Sequence, residues 1–220
     1  FDLNEQYDNL MIEKANIETL TIKNNEFYLT HVKLNAKIQS QHSLILCAAG
    51  REVKKENING KIIGLYGALR NNGNDFYNVT FVTSEYLDKH VVPERSEFDL
   101  SYEKSDFDFE NDISISEIES AVYNSIEIFL KSYLTVNYAK GIKRLNDFVD
   151  KKAPKYKPLL KRLGNKEQNI DPDISDENLD IQLHKRLAKV EEKVLEEGHD
   201  LINQKIEEND FSDYKNRLEI

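Results

Sequence analysis

In the first hundred residues two segments show partial alternation of apolar and polar positions, and from residue 113 apolar side chains recur every third or fourth position. "ETLTI" (18–22) and "EFYLTHVKLNAKI" (26–38) are rich in β-branched and aromatic residues and are separated by "KNN", a turn signal. They read as two strands. "HSLILCAAGREV" (42–53) is mostly apolar and reads as a third, central strand. "ENINGKIIGLYGALRNNGND" (56–75) spaces Ile58, Ile62, Leu65 and Leu69 as a short helix would, although its glycines fill that helix badly. "FYNVTFVTSEYL" (76–87) supplies the last strand. The order βββαβ predicts an α+β fold with helices packed on a sheet.

From residue 113 the period changes. "SISEIESAVYNSIEIFLKSYL" opens with capping-box spacing, Ser114 to Glu117 and Ser116 to Glu119, and continues with Ile118, Val122, Ile126, Phe129, Leu130 and Tyr133. A second helix is expected from about Tyr138 to Val149, broken by Pro154 and Pro158. A third follows "DPDISDEN", with Leu183, Leu187, Val190, Val194 and Leu201 near a heptad spacing that Glu197 and Gly198 interrupt. That run is too short for a coiled coil and predicts helical packing instead. The expected organisation is an α/β domain over 1–105 and an all-α domain over 106–220.

The chain of 220 residues is 32% charged with a net charge of −10, and no run reaches the ~18 apolar residues of a membrane span. The opening "FDLNEQYDNL" lacks the regions of a signal peptide and an initiator methionine, so a fragment of a longer, cytoplasmic protein is expected. The single cysteine, Cys47, excludes an internal disulfide and sits in an apolar strand as a buried, inert thiol.

Charge is segregated along the chain. Residues 140–166 carry ten Lys or Arg against two Asp, a local +8, whereas 99–119 carry eight acids against Lys104, a local −7. Either the two segments neutralise each other, or Lys151, Lys152, Lys155, Lys157, Lys161 and Arg162 present a basic surface to an acidic partner or nucleic acid. His31, His42, His90, His184 and His199 show no metal-ligand spacing. The acids from Asp106 to Asp112 lack the glycine and terminal Glu of a calcium loop and read as a solvated linker.

One stretch raises a sharper question. "VTSEYLDKHVVPERSEF" (82–98) leaves a strand, makes a polar turn and places Pro93-Glu94-Arg95. A proline and charges guard a sheet edge against aggregation, but a proline also fixes a basic residue where an anion would arrive. Gly50-Arg51-Glu52-Val53 and Val91-Val92-Pro93-Glu94-Arg95-Ser96-Glu97 resemble two signatures of MutL-like ATPases, Asn-Gly-Arg-x-Val and Val-His-Pro-Thr-Lys-x-Glu. Ala49 stands where that family has asparagine, and Arg95 where it has lysine. Val82-Thr83-Ser84-Glu85-Tyr86-Leu87 is similar to the Val-Asp-Ser-x-x-Leu run of the ninety-kilodalton heat-shock chaperones. Residues 17–100 thus resemble the transducer domain of the GHKL ATPases.

The resemblance implies that Arg95 contacts the γ-phosphate of ATP bound with Mg in a missing N-terminal domain; Arg51 is read as a structural support of a strand–helix junction in preference to a nucleotide contact. It also implies a homodimer whose helical part meets a protein client or nucleic acid, with no catalysis by this fragment alone. The competing reading is a stand-alone interaction module acting through residues 140–166.

Overall fold

The computed structural model describes residues 10–94, 96–103 and 112–203, the last seven by backbone alone. Six strands, β1 (Asn16–Ile22), β2 (Asn25–Asn35), β3 (Ser43–Ala48), β4 (Arg51–Asn57), β5 (Leu69–Asn71) and β6 (Asn74–Thr83), form one sheet. The order is β1-β2-β6-β3-β4, with β5 also paired to β6. Every pairing is antiparallel except β3 with β6. Helices α1 (Glu85–Lys89) and α2 (Ile115–Lys151) follow, then a 3-10 turn (Pro154–Tyr156), α3 (Lys157–Leu160) and α4 (Asp176–Asn203). The fold class is α+β, with a long helix after the sheet.

Three hairpins close with two residues each, and in all three both turn residues have positive φ: Lys23-Asn24, Ala49-Gly50 and Asn72-Gly73. That geometry matches the right-handed twist of the flanking strands. The second hairpin splits the single strand expected over 42–53 into β3 and β4. The helix expected within 56–75 does not form. Gly60, Gly64 and Gly67 all adopt positive φ there, and a right-handed helix cannot pass through such residues. The observed element order is therefore six strands and then helices, in place of βββαβ.

Helix α2 runs without interruption where two helices are expected, because no Gly or Pro lies between Tyr133 and Tyr138. Its start is the capping box read from the sequence: Glu117 N–H donates to Ser114 Oγ at 3.3 Å, and Ser114 N–H to Glu117 Oε2 at 2.9 Å. Ile118, Val122, Ile126, Leu130 and Leu134, four residues apart, are buried against Phe27, Leu29, Leu46, Phe76 and Val82 of the sheet.

The chain divides into two compact units, Phe1–Arg144 with Asn165–Asp173, and Leu145–Gly164 with Ile174–Ile220. This division falls inside α2, while the expected boundary at 105/106 lies outside the described residues. In the second unit Phe148, Val149, Tyr156, Leu159, Leu179 and Leu183 are buried, and Tyr156 Oη donates to Asp180 Oδ1 at 2.9 Å. No described helix is long and apolar enough to cross a membrane.

Candidate functional site

The parallel pair β3 and β6 brings its two C-terminal ends side by side, since Leu46 is in register with Val82. At that end each strand meets a different device. Strand β3 reverses through Ala49-Gly50 into β4. A Cβ on Gly50 would meet nothing within 4 Å, so this glycine serves its φ of +73° and not a close approach. Strand β6 passes into α1, whose first turn is capped by Ser84: Leu87 N–H donates to Ser84 Oγ at 2.9 Å.

One carboxylate joins the two devices. Asp88 Oδ1, on α1, accepts from Ala49 N–H at 2.7 Å. The chain then leaves α1 as a narrow hairpin. Asp99 N–H donates to His90 O at 2.7 Å, Val92 N–H donates to Glu97 O at 3.1 Å, and Val91 bridges Phe98. Pro93 and Glu94 sit exposed at its turn. Behind α1, Tyr86 Oη accepts from Ile113 N–H at 2.9 Å, which fixes the approach to α2.

No family model, curated protein or solved structure matches this chain. The likeness to GHKL transducers rests on the quoted motifs; the Asp88–Ala49 bond holds the Gly50-Arg51 turn against α1, the helix that leads into the second of them. Arg95 lies outside the described residues. Arg51 is exposed as the first residue of β4; it follows a strand–strand turn, not the strand–helix junction expected for it.

Of the six basic candidates, four are paired within their own unit. Lys151 meets Asp147 at 2.9 Å, Lys157 meets Asp150 at 2.9 Å, Lys155 meets Asp180 at 3.6 Å, and Lys152 pairs with Asp176. None of these acids belongs to 99–119. Two described acids of that segment pair elsewhere: Glu117 with Lys23 of the β1–β2 turn at 2.6 Å, and Glu119 with Lys54 of β4 at 2.7 Å. Lys161 and Arg162 are exposed.

A second polar feature escaped the sequence reading. The inward face of β2 carries Phe27, Leu29, His31 and Lys33, and that of β6 carries Phe76, Asn78, Thr80 and Val82, with His31 opposite Thr80 and Lys33 opposite Asn78. The signal is visible in "FYLTHVK": alternation places a histidine and a lysine on the apolar side of a central strand.

His31 Nδ1 lies 2.9 Å from Thr80 Oγ1, and its Nε2 lies 3.1 Å from Ser125 Oγ of α2. Ser125 in turn donates to Glu18. Burial holds the His31 pKa below its ordinary value, against the opposing pull of Glu18. Lys33 Nζ donates to Glu13 Oε2 at 2.7 Å and lies 4.7 Å from the Tyr133 ring centre and 5.1 Å from that of Phe129. This cluster clasps α2 and the Glu13 segment to the sheet. With His31 and Ser125 both buried, it offers no exposed nucleophile.

His42 is fully buried between Asn78 N–H, which donates to its Nδ1 at 2.9 Å, and Gly67 O, 2.8 Å from its Nε2. A donor at Nδ1 leaves the proton on Nε2, so the ring is a neutral structural bridge, and burial pushes its pKa down to about 4. Cys47 is buried with its thiol pKa raised by burial and then by Glu52, as befits an inert thiol. Among the described residues no group of three or more His, Cys, Asp or Glu side chains could hold a metal ion.

Proposed function

We propose that the sheet unit is a transducer of a GHKL-type ATPase, working with an ATP-binding domain outside these 220 residues and responding to the nucleotide through Arg95. The observation that carries this reading is the Asp88–Ala49 hydrogen bond, 2.7 Å long, which ties the Gly50-Arg51 turn to the helix leading into the Pro93–Glu97 hairpin. The turn of the first motif is thereby held against the helix that leads into the second. Open sheets with parallel strands commonly place ligands at the carboxyl ends of those strands.

The hairpin suits a phosphate contact. Its base is closed by two backbone hydrogen bonds and a bridge, and Pro93 narrows its turn, so a side chain mounted there loses little further freedom when an anion binds. A guanidinium presents several donors in a planar fork that fits phosphate oxygens. Supplied from a neighbouring domain, it registers whether the γ-phosphate is present. ATP and its Mg would supply the phosphoryl chemistry, held by the other domain.

On this reading the partners are the ATP domain, a second copy of the chain and a client protein or nucleic acid, within the cytoplasm. The alternative of a basic docking module draws less support, because four of its six residues already hold local ion pairs. The test is Arg95→Ala in the chain joined to its ATP domain. Turnover is expected to fall about 100- to 1000-fold, the usual effect of removing one preorganised donor, with stability changed by at most ~1 kcal/mol. Wild-type turnover in that variant would overturn the proposal and leave Pro93 and its charges as guards of a sheet edge.

A further inference from the structure

Strand β1 is one edge of the sheet and β4 is the other, and the two edges are built differently. Strand β4 carries Arg51, Glu52, Lys54, Lys55 and Glu56, and its pairing with β3 shifts register between Leu46 and Cys47. Charge and a bulge are the devices by which a sheet edge turns away a further strand. Strand β1 has neither at its open side. Its seven residues pair with β2 in unbroken register, include no Lys, Arg or Pro, and leave Ile17, Thr19 and Thr21 exposed, Ile17 to 71%. Its one charge, Glu18, is engaged from α2, where it accepts from Ser125.

The turn fixes which backbone groups of β1 are free. Ile22 and Asn25 close a two-residue hairpin, so they form a hydrogen-bonded pair, and bonding to β2 then falls also on Leu20, Glu18 and Asn16. The N–H and C=O groups of Ile17, Thr19 and Thr21 point away from β2, and no described strand or loop bonds to them. Such a row of outward donors and acceptors fits one kind of ligand, another extended strand.

The residues of β1 select a second copy of β1. Laid antiparallel about a twofold axis at Thr19, that residue faces Thr19 of the second copy, and Ile17 faces Thr21 of the second copy on either side of the axis. These are the residues with free backbone groups, so every donor meets an acceptor. On one face threonine meets threonine and isoleucine meets threonine, pairs that suit a sheet. On the other face Glu18 lies opposite Leu20 and Asn16 opposite Ile22, so no charge stands directly opposite a like charge. The pairing uses up β1 in both copies and leaves only the two charged β4 edges, so assembly closes at two. We propose that β1 is a strand-pairing surface through which two copies of the chain join their sheets edge to edge. The proposal does not depend on the nucleotide reading above, and its test involves no nucleotide.

Analytical ultracentrifugation of the 220-residue chain is expected to show a monomer–dimer equilibrium. Thr19→Lys places two ammonium groups face to face on the axis and is expected to weaken the dimer about tenfold or more. Thr19→Pro deletes an outward N–H while sparing the bonds to β2, and is expected to abolish the dimer. Thr19→Val keeps a β-branched residue and both backbone groups, and should dimerise as wild type does. Circular dichroism checks that each variant folds, and the exposed lysine replacement carries the test if the proline variant does not fold. Crosslinking reads the register, because the buried Cys47 is the one native thiol. Two copies of Thr19→Cys should be joined by a short bis-maleimide, whereas the thiols of Thr21→Cys, about 14 Å apart across the axis, should not. A wild-type chain that stays monomeric at high concentration would overturn the proposal, and binding of a synthetic extended peptide to that monomer would assign the edge to a different protein. A dimer that tolerates Thr19→Lys, or that does not crosslink through position 19, would overturn it equally.

Discussion

His42 illustrates how much a single buried residue sets the chain's response to acid. Its neutral ring accepts from Asn78 N–H and sits against Gly67 O, and protonation would aim an N–H at another N–H. The folded pKa of about 4 lies below the ordinary value of 6.5, so below pH 6.5 the unfolded chain binds the extra proton first. The stabilisation is complete above about pH 6.5 and is lost as pH falls toward 4, amounting to about 3 kcal/mol at the acid end. Urea unfolding from pH 4 to 8 checks this, with His42→Gln as the comparison, because glutamine can bridge the same groups without titrating. The difference in stability between the two proteins should shift steadily over that window in favour of the variant as pH falls; a constant difference would contradict the assignment. The sequence shows His42 only as a polar residue ahead of an apolar run. Its partners lie 25 and 36 residues away, beyond the reach of any local pattern.

At the scale of elements, the Ser114 cap and the Lys23-Asn24 turn proved legible, whereas the Ala49-Gly50 turn and the long-range clasps did not. The capping box at Ser114 and the turn at Lys23-Asn24 are local, so residue type alone announces them. The segment 56–75 misled because its apolar spacing mimics a helix, whereas its shape is imposed from elsewhere. Gly64 N–H donates to Asn169 Oδ1 at 2.9 Å, and Gly64 O and Tyr66 O both accept from Asn137 Nδ2 at 2.8 Å. A Cβ on Gly64 would lie 2.4 Å from Leu134 O of α2, at a φ of +81°. Gly64→Ala is therefore expected to cost about 2–4 kcal/mol in chemical denaturation, far above an ordinary loop replacement. Ser84→Ala removes the cap of α1 and should cost about 1 kcal/mol, with faster hydrogen exchange at Leu87 as the local reading. Ser84→Asp should restore most of both.

For the whole molecule, charge is the property that composition states and arrangement revises. A local +8 suggests an anionic partner, but Lys151, Lys152, Lys155 and Lys157 each meet an aspartate of their own unit, and the chain as a whole carries −10. Fluorescence anisotropy with duplex DNA at low salt is accordingly expected to show no saturable binding. Tight binding that collapses as salt rises would instead restore the docking-module reading. The two short motifs are visible in the sequence, but the Asp88–Ala49 link is not, because it depends on β3 and β6 running parallel as neighbours. The polar patch inside the sheet constrains how such a chain can drift over generations. His31, Lys33, Asn78 and Thr80 face one another across β2 and β6, and losing one member strands a buried polar group, whereas exchanging a facing pair for apolar residues together can be nearly neutral. Descendants of this chain should therefore change position 31 in step with 80, and position 33 in step with 13 and 78. The trace of the clasp in any future set of relatives would be correlated substitution at these sites, with invariance of any one of them not required.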